Sequence, residues 1–327
     1  MRSDVIGVVE AAYRLDLEES AWLEGIAQAA HPLLDRGLGI VTYTLDRRPT
    51  EITVGPVVSL PFNEPMNELA RTMLGVMPPL IAERLLEIPV GYGASSELAG
   101  PEAIAGFLGE NPFKMIDTAG VQGIDPSGAS VWIVVPSQNV VVVEPGERSR
   151  WQRVAAHMTA AIRLRRSLAR SAHLASDLDS ADAVFEVDGS VANAKPDAVS
   201  SLDHLRAFAK NIDRARGKTR REAPEESLEL WRGLCDGTWS LVDQSDSDGR
   251  RYFVARRNDP AVREDRALTR RELQVVTFAA FGHPDKLIAY ELGIAEGTVQ
   301  RHLTAAMAKM GVSARLELIR LALSLMG

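Results

Sequence analysis

Cysteine is almost missing from this chain: Cys235 stands alone among 327 residues. No disulfide can close within the chain, and one thiol cannot build a structural zinc site. A small half-buried residue in a reducing compartment is the reading that remains for it. The six histidines, at positions 31, 157, 173, 204, 283 and 302, are scattered without metal-ligand spacing. No apolar run approaches the roughly 18 to 20 residues that a membrane span needs. The N-terminus also lacks a basic stretch followed by a hydrophobic core. The expectation is a cytoplasmic protein with no membrane partner. A phosphate-binding G-x-x-x-x-G-K loop and a G-x-S-x-G elbow are likewise missing. With no nucleophile, acid-base pair or metal set to point to, the chain is not expected to be an enzyme and no cofactor is expected. Asp246 and Asp248 beside Gly249 suggest calcium, but the rest of a calcium loop is missing, and a solvated hairpin tip accounts for them.

What is present is an ordinary globular composition, 46% hydrophobic and 25% charged, in a chain long enough for two or three domains. The net charge is −7. It is not evenly spread. From Arg266 to the end there are eight Lys and Arg against five Asp and Glu, a local +3, so the remainder carries −10. Attraction to a polyanion would therefore be confined to the C-terminal segment, and tight binding would need two copies.

In the N-terminal half, Trp22, Ile26, Ala29, Ala30 and Leu33 mark an amphipathic helix between Leu17 and Asp35. Gly37 and Gly39 end it. Leu38–Leu45 and Ile52–Leu60 then read as a strand pair. Between Met66 and Phe107, helical spacing returns in short pieces broken by Pro78, Pro79, Pro89, Gly91, Gly93 and Gly100, a helical cap region. Period two resumes at Met115–Ile124, Ser130–Val135 and Val140–Glu144, a three-stranded meander. Arg148–Asp177 is one helix without Gly or Pro. Its apolar stripe, with Arg165 in the seam, suits either a parallel dimer helix or a helix packed back on its own sheet. Ala183–Ala194 reads as a hairpin turning at Asp188 and Gly189. Two helices follow, Ser201–Arg216 and Glu225–Cys235, with the charged break GKTRREAP between them. Thr238–Asp243 and Arg251–Arg256 close the region as strands. The element order of residues 1–147 resembles a GAF-type sensor, and that of 178–257 resembles a truncated PAS-like unit.

The last sixty residues carry the sharpest pattern. Thr269 and Glu272 form a capping box, and Gly282 stops the helix they open. Pro284 and Asp285 start a second helix ending at Gly293. A third runs from about Gly297 to Met310, and Ser313 caps a fourth. On the third helix Val299, Leu303, Ala306 and Met310 share one face. Arg301, Thr304, Ala305 and Ala308 share the opposite face, flanked by Gln300, Thr298, His302 and Lys309. That second face is slim and free of carboxylates, which suits a major groove about 12 Å wide.

This segment resembles the C-terminal DNA-binding domain of LuxR/NarL (GerE-type) bacterial transcription regulators. The matching positions are Leu268, Thr269, Arg271, Glu272, Gly282, Lys286, Ile288, Ala289, Ile294, Thr298, Val299, His302, Leu303, Lys309, Gly311 and Val312. It departs from the family at Ala295, where Ser is usual, at Gln300, where Lys or Arg is usual, and at Leu287 and Gln274, where Glu is usual. The resemblance implies a sequence-specific regulator that binds double-stranded DNA, with Gln300, Arg301, Thr304 and Ala305 reading bases. It also implies that Arg271, Lys286, Thr298, His302 and Lys309 meet phosphates. A homodimer would be joined through Leu316, Ile319, Arg320 and Leu323. A phosphorylated receiver input lacks its acidic pair here, and the tryptophan–tyrosine cluster of an acyl-homoserine-lactone sensor is not recognisable. The competing reading is a protein-interaction scaffold that uses the helix-turn-helix to bind a partner. The expected fold class is α+β. Residues 1–147 form a GAF-like antiparallel sheet sensor, open to a small-molecule ligand of unknown identity, and 148–177 a connecting or dimerisation helix. Residues 178–257 form a small PAS-like unit and 258–266 a linker. Residues 267–327 form an all-α four-helix helix-turn-helix domain.

Overall fold

The computed structural model describes residues 4–48, 51–61, 64–86, 90–125, 128–170, 181–216, 220, 224–231, 239–245, 250–257, 270–310, 314–316, 318–319 and 322. It is a mixed structure with two antiparallel sheets and a helical C-terminal domain. Two helices, α1 (Val5–Ala12) and α2 (Glu19–Leu34), precede the strand pair β1 (Ile40–Arg48) and β2 (Glu51–Leu60). Four short helices follow, α3 (Glu64–Gly75), α4 (Pro79–Leu86), α5 (Ser95–Ala99) and α6 (Pro101–Leu108). The strand β3 (Val90–Ala94) lies among them. β4 (Asp117–Ile124) and β5 (Ala129–Ser137) complete a sheet of order β2-β1-β5-β4-β3.

Two sequence expectations are corrected here. Val140–Glu144 is not a strand. Its alternation is real, Val141 being buried while Val140 and Val142 stand exposed, yet it pairs with no strand among the described residues. The fifth strand is β3, whose glycines read as helix breakers. Gly91 and Gly93 pair with Gln122 and Gly120 of β4, and residues without a Cβ let the edge strand pass close to its surroundings. The helix α1 was also unforeseen. Asp4 caps it by accepting from the Gly7 amide at 2.8 Å, and its VIGVVEAA sequence is apolar on nearly every side, so no 3.6 period stands out.

The long helix α7 (Pro145–Arg170) takes the second of its two alternatives: Trp151, Val154, Ala155, Met158 and Ala161 are buried in the core over its own sheet. Contact is tight at Gly123 of β4, where a Cβ would stand 2.7 Å from the Ala155 carbonyl oxygen. Residues 171–177, the end of the helix expected from sequence, lie outside the described residues.

The second sheet has order β7-β6-β9-β8. Its strands are β6 (Ala183–Glu186), β7 (Val191–Ala194), β8 (Trp239–Ser245) and β9 (Arg251–Arg257), and helices α8 (Leu202–Arg216) and α9 (Pro224–Leu230) lie between the hairpins. This unit has only a small core of its own, Ala181, Val184 and Val254 with Tyr252 against them, on one face of its sheet. Phe185, Leu228, Trp231 and Phe253 belong to the same apolar cluster as Val8, Trp22 and Ile133. Within the charged break, Arg220 grips α1 by donating to both oxygens of Asp4 at 3.0 and 2.9 Å and to Glu10 at 2.8 Å.

The described part of the C-terminal domain comprises α10 (Arg270–Ala280), α11 (Asp285–Leu292), α12 (Glu296–Met310) and further helical residues at 315, 316, 318, 319 and 322. Gly282 and Gly293 both take positive φ, 80° and 65°, the left-handed backbone that lets each helix stop and turn. Thr269 and Ser313, expected as caps, lie outside the described residues.

Candidate nucleic-acid interface and ligand cavity

The third helix of the C-terminal domain presents the face expected of it. Val299, Leu303 and Ala306 are buried against Val275, Ile288, Leu292 and Leu318, so the opposite side of α12 is turned outward. Gln300, Arg301 and Thr304 are exposed there and Ala305 is half-buried. Arg301 donates to the Thr298 hydroxyl at 3.0 Å, one turn back, which holds the guanidinium along the helix. The side chains of Met310 and Lys309 lie outside the described residues.

The remaining phosphate candidates separate into different situations. Lys286 is exposed at the start of α11. His302 is half-buried, and burial, followed by the charge of Arg271, holds its imidazole below the usual range; it can offer a hydrogen bond at neutral pH but no charge. Arg271 is committed elsewhere: it donates to the Leu292 carbonyl at 2.9 Å and to Gln274 at 3.0 Å, closing the C-terminal end of α11. Gln274, where the resembled pattern carries Glu, thus orients Arg271.

Of the residues expected at a dimer contact, Leu316 is 58% exposed while Ile319 packs partly against the domain core. Arg320 and Leu323 lie outside the described residues. Arg315, which sequence reasoning passed over, anchors this last segment: it pairs with Asp285 and donates to the His283 carbonyl at 3.1 Å.

Ala295 precedes α12, and its carbonyl accepts from the amides of Thr298 and Val299 at 2.9 and 3.2 Å. The side chain has no oxygen to add. Ala295→Ser is expected to stabilise the domain by about 1 kcal/mol through the missing cap. The urea midpoint of the C-terminal helices would report it, and an unchanged midpoint would mean the amides are already satisfied.

A second feature was visible in the sequence only as a helical cap region. Between one face of the first sheet and helices α3 to α6 lies a cavity of about 230 Å³. Its walls are Tyr43 and Trp132, stacked at 5.9 Å between centroids, with Met66, Met73, Met77, Ile104 and Phe107 from the cap and Met115 from the segment that leads into β4. Burial pushes the Tyr43 phenol up, so it is neutral. The polar groups at the rim are largely occupied with one another. Ser95 and Thr118 share a hydrogen bond of 2.7 Å, and Gln122 donates to the Leu85 carbonyl at 2.8 Å. Arg148, the one cation on the wall among the described residues, donates to both oxygens of Glu97 at 2.8 and 2.6 Å and to the Tyr92 carbonyl at 3.1 Å. Such a chamber favours an uncharged, mainly apolar occupant.

Two further absences hold among the described residues. No cluster of three His, Cys, Asp or Glu could hold a metal ion, and no helix is long and apolar enough to cross a membrane. The calcium reading at Asp246, Asp248 and Gly249 falls outside the described residues.

Residues 266–322 match the family model described as "Bacterial regulatory proteins, luxR family", about one sixth of the chain. The C-terminal segment is therefore a luxR-family helix-turn-helix domain, which implies DNA-binding transcription regulation. No curated protein matches the chain. Among solved structures, the chain is similar to one titled "SdiA in complex with octanoyl-rac-glycerol", at 11% identity and a TM-score of 0.32, covering 99% of this chain and 97% of that one. It is also similar to Escherichia coli SdiA crystallised in space group P6522, at 14% identity and a TM-score of 0.28, covering 98% and 96%. Scores this low do not establish a shared overall fold.

Proposed function

We propose that this chain is a sequence-specific DNA-binding transcription regulator whose N-terminal region takes up an uncharged, largely apolar small molecule. The observation that carries the first part is the exposed, carboxylate-free face of α12 on a luxR-family domain. Helix α12 enters the major groove in this reading. Arg301 donates to guanine, Gln300 pairs with adenine, and the Thr304 and Ala305 methyls meet thymine. Lys286, Lys309 and the amide end of α12 near Thr298 hold phosphates. His302 adds a neutral hydrogen bond, and Arg271 acts by fixing α11. Two copies pair through Leu316, Ile319, Arg320 and Leu323, and the exposure of Leu316 supports that surface. The GAF-like and PAS-like units, and a cytoplasmic location, belong to the same reading.

Two substitutions test the sorting of contacts. Arg301→Ala is expected to cost about 1 to 3 kcal/mol and relax preference at one base position. Lys286→Ala weakens all sequences alike and flattens the salt dependence by about one. Identical behaviour of the two variants would refute the assignment.

The experiment for the whole reading is selection from a random duplex library with the full chain at low salt. Enrichment of an inverted repeat is the expected result. Failure to enrich any sequence would remove DNA as the partner and leave the protein-interaction scaffold.

A further inference from the structure

The DNA-binding domain is not free of the rest of the chain. Leu287 and Tyr290 of α11 are buried in the N-terminal apolar cluster, not in the core of their own domain. Leu287 stands where the resembled pattern carries Glu, and its contact with that cluster accounts for the departure.

The seam around these two residues is polar and closed. The Tyr290 hydroxyl donates to the Leu228 carbonyl of α9 at 3.0 Å and lies 2.8 Å from Nε2 of His157 on α7. With the hydroxyl proton spent on Leu228, His157 is the donor in that bond, as its neutral Nε2–H form. Two turns on, Arg163 of α7 reaches in two directions. It donates to Asp125, at the end of β4, at 2.5 Å and lies 3.7 Å from the carboxylate of Glu291 on α11. The guanidinium also sits 5.9 Å from the Phe278 ring centre of α10. Glu291 is fully buried, and among the described residues neither of its oxygens accepts a hydrogen bond. His283, also buried, has no hydrogen-bond partner for either ring nitrogen among the described residues.

We propose that this seam is a proton-operated latch, which holds the helix-turn-helix domain against α7 near neutral pH and releases it when Glu291 ionises or the two imidazoles take up protons. A buried, poorly hydrogen-bonded carboxyl is a weak source of stability and a good switch. The groups facing Glu291 are Arg163 and Asp125. Those facing His157 are Tyr290, Tyr13 and the Leu228 carbonyl, and His283 faces Arg163 and Phe278.

The direction for each group follows from its surroundings. Burial raises Glu291 to about 8, against an ordinary 4.5 once released. Its contribution to docking is complete below 4.5 and is lost as pH rises through 8. Burial lowers His157 and His283 to about 3, from 6.5. Their contribution is complete above 6.5 and is lost as pH falls toward 3. Docking is therefore tightest near pH 6.5. From there to pH 8 it weakens by roughly tenfold per unit, about 30-fold in all.

The test places a thiol in the seam, Leu287→Cys in a Cys235→Ser background of the full chain, and follows its reaction with a disulfide reagent. The rate, corrected for thiolate fraction with a free thiol, reads the released population. The expected result is a minimum near pH 6.5 and a rise of about 30-fold by pH 8 that then levels. Adding Glu291→Gln abolishes the alkaline rise. Should Leu287→Cys lose helical signal, Tyr290→Cys serves as the probe, since Tyr290 is also buried in the N-terminal cluster. A corrected rate that is flat from pH 6.5 to 9 overturns the proposal, as does the same rise with Glu291→Gln. So does a urea dependence of labelling equal to that of global unfolding, because the opening would then not be local.

Discussion

Replacing Arg163 by Met is expected to weaken the seam between α7 and the helix-turn-helix domain by about 3 to 5 kcal/mol, the usual loss when one partner of a buried ion pair is removed. The guanidinium donates to Asp125, which is itself buried. Methionine keeps most of the volume and none of the charge, so the loss is electrostatic and not a cavity. The chain has a way to limit that loss. If the C-terminal domain swings away, water reaches Asp125, and the penalty cannot exceed the free energy of docking. Release should therefore come before unfolding of the sheet. At pH 6.5, labelling of Leu287→Cys should rise by at least about a hundredfold, the factor matching roughly 3 kcal/mol. Helical signal and the urea midpoint of the sheet should change little. Asp125→Asn in the same background should recover part of the loss, since an amide carries no charge to leave buried. A rise of less than about fivefold would mean that Arg163 contributes packing alone.

The contrast between Arg163 and Trp22 explains how far the sequence could be read. Trp22, Ile26, Ala29 and Ala30 announce their helix by spacing, and all are buried in it. Spacing is a property of one element, so a local pattern is enough to find it. Helix α12 was legible for the same reason, and the capping and turn chemistry around Gly282 and Gly293 placed its neighbours within a residue or two. Arg163 carries no such mark. It sits among Arg153, Arg165 and Arg166 on one helix, and only the arrival of Asp125 and Glu291 from elsewhere separates it from them. Arg165 shows the same limit: expected in a coiled-coil seam, it instead donates to the Leu17 carbonyl at 2.8 Å. The cavity was hidden for a related reason. Met66, Met73 and Met77 look like any apolar helix face until the sheet opposite them is in place. Strand β3 escaped because Gly91 and Gly93 signal a break in a helix and a close approach in a strand with equal force.

Trp22→Ala is expected to cost about 3 to 5 kcal/mol, the range for removing a large buried aromatic side chain. The indole is fully buried and joins three elements that are distant in sequence. Its ring lies on α2, its Nε1 donates to the Ala12 carbonyl at the end of α1 at 2.8 Å, and the guanidinium of Arg165 on α7 sits 5.2 Å from its centre. Trp22→Phe separates these contributions. Phenylalanine restores most of the apolar area but leaves the Ala12 carbonyl without that donor inside the core, a loss of about 1 to 3 kcal/mol. The expected order of urea midpoints is wild type, then Trp22→Phe, then Trp22→Ala, with the wider gap between the last two. Were Phe to cost as much as Ala, the hydrogen bond to Ala12 and not the ring would be what holds α1 against α2. Helix α1 matters here because Asp4 and Glu10 on it receive Arg220 of the second unit. Loosening α1 should therefore expose the stretch around Arg220 to protease before the first sheet is cut, and cleavage in the reverse order would place the weak point elsewhere.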